Sequence, residues 1–357
     1  MMRQPLYILS ASAISPQQSF DGAGFLDPVL ESGNNRLHVT DPDYSKFISP
    51  VAIRRMSRVI KMGISGGMRA LQLANITQPH AIIVGTGRGS VTDTERFLSD
   101  MIAMKEEALN PTYFIQSTYN TINGWLAMQT KCTGYNQTYV HRGFSFELCL
   151  LDAQLMLADS EDKTNILLGC FDELSPDYYI VKNNIGYWKK EQINSKELLQ
   201  HNNTEGSIGG EGVSFFTVSN SSEGARCSIE YMNMLQQPDM DNIQDAISEA
   251  LAQNNLEAAD IDVLLCGKSG DSRYEWVYDT ISPMFGNATS VAAFKHVTGE
   301  YDTASGFAVW LSDYLFSRQQ IPSALVLHEG TNKSIDYILV VNHHILGTAS
   351  VLLLKRL

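Results

Sequence analysis

Short apolar runs alternate with helix-like stretches along the whole chain, and the same order of elements occurs twice. In the first half, the apolar run at 6–10 precedes AIIVGTGRGS (81–90), a strand that ends in a glycine-rich turn. In the second half, IDVLLCGKSG (261–270) has the same form, and in both halves a later turn begins a buried helix. Such alternation is typical of layered α/β folds, and a repeated order indicates duplication of one α/β unit. We therefore predict two related halves, residues 1–220 and 221–357.

The composition is that of an acidic, soluble globular protein. Of the 357 residues, 44% are apolar and 18% are charged, which supplies ample material for a core. Lys and Arg number 26 and Asp and Glu number 39, so the formal net charge is −13. This charge argues against nucleic acid and anionic membranes as main partners, because both require clustered basic residues. The sequence contains no run of 18 apolar residues that could span a bilayer, and the run at 6–10 is predicted to be a first strand rather than part of a signal peptide.

The cysteines and histidines predict neither disulfides nor a metal site. The five cysteines are scattered without a C-x-x-C pair, and with no secretion signal they indicate a reducing, cytoplasmic environment. His343 and His344 are the only adjacent histidines, and neighbouring residues of a strand point to opposite faces. We therefore expect no metal and no other cofactor. The cysteines are Cys132, Cys149, Cys170, Cys227 and Cys266.

Two glycine-containing segments are interpreted as structural. The turn at 85–89 has the spacing G-x-G-x-G and follows a strand that is not the first. It therefore departs from the G-x-G-x-x-G pattern of dinucleotide sites, and a tight turn packed under another element is the better interpretation. The segment 187–211 is polar and rich in Asn and Gly, which predicts a long surface connection.

A sharp elbow is predicted where a strand, the pair Arg142 and Gly143, and an apolar helix at 144–157 follow one another. At such an elbow the helix dipole lowers the pKa of a thiol, and free N–H groups can bind an oxyanion. Gly143, however, offers no nucleophile. Cys149 lies about a turn and a half further along the helix, where a packed core thiol is expected.

Several segments match, in order and spacing, the pattern of one known family. The stretch LNPTYFIQSTYNTINGWLAMQTKCTGYN (109–136) is similar to the family's P-x-F-x-P-x-x-x-x-N-x-x-x-G-x-L-A region. The other matching segments are LYILSASAISP near the start, VGTGRG (84–89), NILLGCFDE (165–173), GGEGVSFFTV (209–218), 256–286, KHVTGEYDTASG (295–306) and 337–357. On this basis the chain resembles the β-ketoacyl-ACP synthases, the elongating condensing enzymes of fatty acid and polyketide synthesis. The resemblance covers nearly the whole chain and implies a thiolase-like fold, in which two duplicated α/β halves form a five-layered αβαβα sandwich.

The resemblance also implies that the family's catalytic residues are replaced. In the family, a cysteine at the elbow holds the acyl chain, two histidines stabilise the enolate formed from malonyl-ACP, and a lysine supports the second histidine. Carried over by position, the cysteine falls on Gly143, the first histidine on Cys266 and the second on Glu300, while the lysine is kept as Lys295. Glycine cannot carry an acyl group, and a carboxylate repels an enolate unless it is protonated. We therefore expect no catalytic residues and no condensation chemistry. The segment 342–350 resembles the family's glycine-rich gate but lacks its Phe.

Within the family, the chain resembles the chain-length-factor type of subunit. Such a subunit forms a heterodimer with an active ketosynthase in fatty acid or type II polyketide or polyene synthesis, and shapes its acyl tunnel. The strand at 137–141 would then pair with its counterpart across a pseudo-twofold axis. Acyl carrier protein is a further possible partner, and the basic face Arg54, Arg55, Arg58 and Lys61 is either a docking patch or a solvated helix face. The residues expected to line the interface or tunnel are Tyr119, Asn123, Trp125, His141, Arg142 and Phe144.

Two other functions remain open at this point. In the first, Cys266, Lys295 and Glu300 converge in one pocket, where a thiol beside a lysine could support acyl transfer or thioester hydrolysis. A plain ion pair that caps a helix is the simpler interpretation of Lys295 and Glu300. In the second, the chain is a silent homodimer that binds an acyl chain or acyl-ACP.

Overall fold

The computed structural model describes residues 4–357, which form strands packed between layers of helices. The strands are β1 (Leu6–Ile14), β2 (Arg36–Leu37), β3 (Ala81–Gly85), β4 (Tyr135–Tyr139), β5 (Asn165–Asp172), β6 (Gly209–Gly210), β7 (Gly212–Ser219), β8 (Cys227–Gln236), β9 (Val263–Cys266), β10 (Ser290–Ala293), β11 (Val326–His328), β12 (Tyr337–His344) and β13 (Thr348–Arg356). The α-helices are α1 (Pro50–Ile53), α2 (Arg58–Leu73), α3 (Val91–Ala103), α4 (Pro111–Gln116), α5 (Thr121–Thr130), α6 (Ser145–Ala158), α7 (Pro176–Asn184), α8 (Met240–Gln253), α9 (Glu275–Ile281), α10 (Lys295–Thr298) and α11 (Ala304–Arg318).

Each half of the chain builds a five-stranded sheet with the same topology. The first sheet has the order β4-β3-β5-β7-β1, and the second has the order β10-β9-β12-β13-β8. In both, the first three strands are parallel and the last two are added antiparallel. Counted in chain order, the five strands of the first half occupy the same places in their sheet as the five strands of the second half. The predicted duplication is therefore confirmed. We propose that the halves divide in the turn between β7 and β8.

The two sheets and their helices stack as five layers. Helices α2 and α5 cover the outer face of the first sheet, α6 and α11 lie between the sheets, and α8 with α9 covers the outer face of the second. The predicted five-layered sandwich is therefore confirmed. Three residue pairs between β1 and β8 join the sheets at one edge, and β11 extends the second sheet beyond β10. Of the 15 residues of α11, 12 are buried, because a helix between two sheets must be apolar on all sides.

Residues 50–73, which carry the predicted basic face, have a helix-like sequence but form two helices rather than one. Residues 54–57 separate α1 from α2. The side chain of Gln116, on α4, holds this break: its amide donates to the carbonyl of Arg55 (2.5 Å) and its oxygen accepts from the N–H of Ser57 (2.9 Å). A polar side chain from another helix thus satisfies the backbone groups that the break leaves unpaired. No helix within residues 4–357 is long and apolar enough to cross a membrane.

The segment 187–211 is only partly the surface connection that its composition predicts: residues 190–192 and 202–205 are exposed, but both ends are buried. Tyr187, Trp188 and Lys189 are buried, and β6 pairs with β2. The ammonium group of Lys189 organises the segment by donating to the carbonyls of His201 (2.6 Å), Thr204 (2.7 Å) and Gly270 (2.6 Å). A buried lysine that satisfies several carbonyls lets a polar segment fold over the protein interior, which composition alone does not reveal.

Replacing this ammonium group should therefore destabilise the fold. We expect Lys189→Met to lower the free energy of unfolding by about 3 kcal/mol, because it leaves buried carbonyls without a donor. The neighbouring Lys190 is exposed, so Lys190→Met is the matched control and should unfold like the wild type. Urea denaturation followed by circular dichroism measures the difference, and equal midpoints for the two variants would contradict this role of Lys189.

Candidate functional site

The predicted elbow lies between β4 and α6. The turn is tight, since Arg142 adopts φ = +50°, a conformation that is uncommon for residues other than glycine. Ser145, at the start of α6, fixes its shape: the hydroxyl accepts from the N–H of His141 and donates to the carbonyl of Thr86, both at 2.8 Å. Residue 142, rather than 143, is thus the exposed residue at the tip of the elbow.

Gly143 is buried beneath the elbow, and the space for a side chain there is already occupied. A Cβ atom at position 143 would overlap Thr348 Oγ1 and lie 2.9 Å from Cγ and Nδ1 of His344. Both side chains come from the hairpin of β12 and β13. The elbow therefore lacks both a nucleophile and the room for one.

A buried ionic network surrounds His344. The backbone N–H of Leu346 donates to Nδ1 of His344 (3.2 Å), and Nε2 of the same ring lies 3.0 Å from Asp302 Oδ1. This pattern assigns the ring proton to Nε2, which donates to the carboxylate. Glu300 lies beside it and is paired with Lys295 Nζ at 2.6 Å. The lysine also donates to the carbonyl of His343 (2.8 Å).

Two further cations, Arg88 and Lys182, extend this network. Arg88 Nε lies 3.9 Å from Asp302. Burial lowers the pKa of Lys182 to about 8; the charge of Arg88 adds to this lowering, whereas Asp302 and Glu300 oppose it. Burial alone would raise the pKa of Asp302, but the hydrogen bond from His344 and the nearby cations lower it to about 2.

Aromatic side chains close the space above the network. Lys182 Nζ lies 3.6 Å from the centroid of the Tyr187 ring, and Trp188 stacks on Tyr179 with 5.6 Å between centroids. The cavity left between these rings and the ionic network has a volume of about 20 Å³. This is room for about one water molecule and far too little for an acyl chain.

Cys266 does not meet Lys295 and Glu300, so the predicted convergence of these three residues is wrong. The Cys266 thiol packs in the outer core between the second sheet and helices α8 and α9, with Tyr278 among its neighbours. Burial raises its pKa to about 12. Cys149 is fully buried as well, and burial raises its pKa well above the usual range. Neither thiol has the partly exposed, electropositive surroundings of a nucleophile.

The predicted interface residues separate into three places. Tyr119, His141 and Arg142 line an open groove of about 520 Å³ beside the elbow. Phe144 is buried and stacks against His141, with 5.6 Å between ring centroids. Asn123 is also buried, and its amide donates to the carbonyl of Gln137 (2.7 Å), which holds β4 against α5. Trp125 lines a different pocket, of about 390 Å³, with Arg55 at its edge.

The basic face of α1 and α2 is smaller than its sequence indicates. Arg58 bonds the carboxylates of Asp41 (3.0 Å) and Glu211 (2.5 Å), so its charge is neutralised within the chain. Arg54 and Arg55 are exposed. The face therefore offers fewer free cations to an acidic partner than a count of four basic residues predicts.

Several residues of the ionic network were not foreseen. Arg88 lies in the glycine-rich turn 85–89, whose tightness has a clear cause: Asp172 Oδ1 accepts from the N–H of Gly87 at 2.8 Å. Asp302 follows Glu300 by two positions, which the resemblance did not single out. Lys182 gives no signal in the sequence, because a lysine on a short helix is usually exposed. Within residues 4–357, no cluster of three or more His, Cys, Asp or Glu side chains is arranged to hold a metal ion.

Comparison with known proteins links part of the chain to one family model and shows the fold of the whole chain. Residues 32–188 match the family model of the beta-ketoacyl synthase N-terminal domain. The chain is similar to the ishigamide ketosynthase/chain length factor, with a TM-score of 0.79 and 17% identity over 99% of this chain and 100% of that one. A beta-ketoacyl synthase from Burkholderia phymatum STM815 gives a TM-score of 0.78 at 14% identity, over 99% of this chain and 100% of that one. The structure of a type II PKS acyl-carrier protein in complex with its ketosynthase bound to the hexaketide (AntDE:AntF) gives a TM-score of 0.74 at 14% sequence identity. This match covers 99% of this chain and 100% of that chain. No curated protein sequence matches the chain.

The match over residues 32–188 agrees with the predicted resemblance to the β-ketoacyl-ACP synthases, and the thiolase-like fold is confirmed over the whole chain. At 14–17% identity, the solved structures establish the fold. The roles of individual residues rest on the geometry described above.

The occupied space at the elbow yields a stability prediction. We expect Gly143→Ala to lower the free energy of unfolding by about 1–3 kcal/mol, because the new Cβ forces Thr348 and His344 to move. In a Thr348→Ala background the same change should cost less, and a double-mutant cycle measures this coupling. A Cβ atom at Gly124 would have no other atom within 4 Å, so Gly124→Ala is the control and should not destabilise. An equal effect of both substitutions would show that the elbow has room for a side chain.

A second prediction concerns Glu173, which lines the small cavity and follows β5. Burial and the negative charges of Glu211 and Asp93 raise its pKa to about 7, although Thr92 donates to both carboxylate oxygens (2.9 and 2.8 Å). The folded-state pKa thus lies above the unfolded value of 4.5. The stability linked to this group is full below pH 4.5 and is lost as the pH rises through about 7.

We therefore expect Glu173→Gln to be more stable than the wild type by about 2 kcal/mol at pH 8 and equally stable near pH 4. Urea unfolding across this pH range tests the expectation. Glu161 is exposed, so Glu161→Gln serves as the control and should follow the wild type throughout. A constant difference between Glu173→Gln and the wild type at all pH values would contradict the assigned titration.

Proposed function

We propose that this ketosynthase-family protein is a non-catalytic, chain-length-factor-type subunit that pairs with an active β-ketoacyl-ACP synthase. The observation that carries the proposal is the elbow, where Gly143 stands in the nucleophile's place by resemblance and the side chains of His344 and Thr348 fill the space. A subunit of this kind contributes surface to its partner's acyl tunnel rather than chemistry of its own.

The surroundings of the elbow support the absence of condensation chemistry. Residue 300, which corresponds to the family's second histidine, is a glutamate bound to Lys295 at 2.6 Å. It cannot donate a hydrogen bond to an enolate oxygen while it is ionised. The cavity of about 20 Å³ beside it is closed by Tyr187 and Trp188, so an acyl chain carried by acyl carrier protein would have to enter the partner instead.

The edge of the first sheet supports pairing. Among the strands of residues 4–357, β4 stands at one end of the order and pairs only with β3. Its residues Tyr135–Tyr139 are half-buried or exposed, and in the part of the chain that the structure describes no second strand pairs with its outer backbone groups. Such an edge readily pairs with a strand of another chain. The adjacent Val140 and Tyr119 are large, exposed apolar side chains, as expected of an interface.

The structures of an ishigamide ketosynthase/chain length factor and of a ketosynthase in complex with a type II PKS acyl-carrier protein support the same assignment by similarity of fold. We accordingly assign the pair to type II polyketide, polyene or fatty acid synthesis in the cytoplasm. Acyl carrier protein is the partner of the assembly, and its main docking surface lies on the active subunit.

The two competing interpretations are less well supported. A rebuilt enzyme around Cys266 would need an accessible, acidic thiol, whereas this thiol is fully buried and its pKa is raised to about 12. A silent homodimer would use the same free edge of β4. It is therefore distinguished from the heterodimer by experiment, through what co-purifies with the tagged chain from its native host.

Backbone pairing through β4 can be blocked at one residue. The carbonyl of Tyr139 accepts from the N–H of Thr86 on the β3 side (2.9 Å). Because backbone groups alternate in direction along a strand, the N–H and carbonyl of Thr138 point away from β3, toward the free edge. We expect Thr138→Pro to abolish one-to-one co-purification with an intact ketosynthase, since proline lacks the N–H.

The matched control is Thr138→Ala, which removes the side chain but keeps the N–H and should still co-purify with the ketosynthase. Circular dichroism verifies that both variants are folded. Recovery of a stoichiometric ketosynthase with Thr138→Pro would contradict pairing through this edge. Recovery of the wild-type chain only as a homodimer would favour the competing interpretation.

A further inference from the structure

The open groove beside the elbow is lined by basic side chains, which a subunit that only shapes an acyl tunnel would not need. Its volume of about 520 Å³ lies in the usual range of small-molecule sites. It adjoins the closed cavity above the ionic network, with which it shares Arg88 and Tyr178, and opens at the end of β4. Its lining consists of Gly87, Arg88, Val91, Thr94, Tyr119, Val140, His141, Arg142 and Tyr178.

The groove is lined by basic side chains and by no carboxylate. These basic side chains are Arg88, His141 and Arg142. Within residues 4–357, Arg142 forms no ion pair at 4.0 Å or less, and Arg88 has only the distant contact with Asp302, at 3.9 Å. Asp302 itself is buried and already accepts from His344. In a chain of net charge −13, two arginines without close carboxylate partners at one groove indicate a site for an anion.

The remaining walls of the groove are apolar and aromatic. The guanidinium carbon of Arg88 lies 4.8 Å from the centroid of the Tyr178 ring, a cation–π contact that restrains the arginine. Tyr119, Val91 and Val140 complete the walls. A small inorganic ion would leave these surfaces uncovered, whereas an organic acid would contact them with its body and the arginines with its carboxylate.

We propose that this groove binds organic carboxylates, with Arg88 and Arg142 contacting the carboxylate and Tyr119 and Tyr178 packing against the body of the ligand. The identity of the natural ligand rests on the proposed function: in the paired assembly it is an acyl chain that carries an anionic group at the end distant from the thioester. The groove would then select chains by charge as well as by length.

The site can be tested on the full, unpaired chain with simple probes. Isothermal titration at constant ionic strength compares sodium benzoate with benzamide, which has the same shape without the charge, and with inorganic phosphate. Benzoate is expected to bind at least tenfold more tightly than benzamide, and Arg142→Gln to remove this preference. The control is Arg55→Gln, because Arg55 is an exposed arginine at a different pocket, beside Trp125, and should leave benzoate binding unchanged.

Four results would overturn the proposal. These are no benzoate binding by the wild type, equal binding of benzamide, a preference for benzoate that survives in Arg142→Gln, and phosphate binding as tight as benzoate with the same dependence on Arg142. Loss of ketosynthase co-purification in Arg142→Gln with intact benzoate binding would likewise assign Arg142 to a protein contact instead. The proposed function fails separately: if no ketosynthase co-purifies with the wild type while benzoate still binds through Arg142, the carboxylate site stands and the pairing does not.

Discussion

The contact between His344 and the backbone at Gly143 is the constraint on which the rest of the site depends. His344 is held on both ring nitrogens, by the N–H of Leu346 and by Asp302, so it cannot swing away without depriving a buried carboxylate of its close hydrogen-bond donor. Removing one member of a buried ionic group is costly because the others lose their compensation. The occupied elbow and the ionic network are therefore one structural unit, and a single substitution toward the family's catalytic residues would not reopen the pocket.

The duplication could be predicted from the sequence because it is encoded locally. Each sheet strand is a short apolar run bounded by turn residues, and the order of the runs repeats. The apolar run GVSFFTVS, for example, coincides with β7 (Gly212–Ser219). The central helices could be recognised by their apolar character on all sides. The elbow was located correctly for the same reason, since a strand, a turn and an apolar helix are adjacent in the chain.

The occupied pocket could not be predicted, because it is made by residues far apart in sequence. The space beside Gly143 is filled by His344 and Thr348, some 200 positions later in the chain. Lys189 is buried because carbonyls from three separate residues surround it. The polar, Asn-rich composition of the segment does not predict these contacts. Trp125 and Tyr119 share a region of sequence but face different pockets. Position along the chain therefore located the site but not the direction of its side chains.

The charge distribution bears on how the proposed partners and ligand would meet this chain. A net charge of −13 repels an acidic carrier protein as a whole. The basic face on α2 is a local exception, but the intrachain ion pairs of Arg58 reduce the positive charge that it offers. Beyond about 8 Å, however, surface charges are largely screened at physiological ionic strength. A small ligand inside the groove is therefore governed by Arg88 and Arg142 rather than by the net charge. The same chain thus discourages a large acidic protein from docking on its surface and favours a small anion at its elbow. This combination is consistent with the proposed subunit, which would receive the end of an acyl chain whose carrier is docked elsewhere.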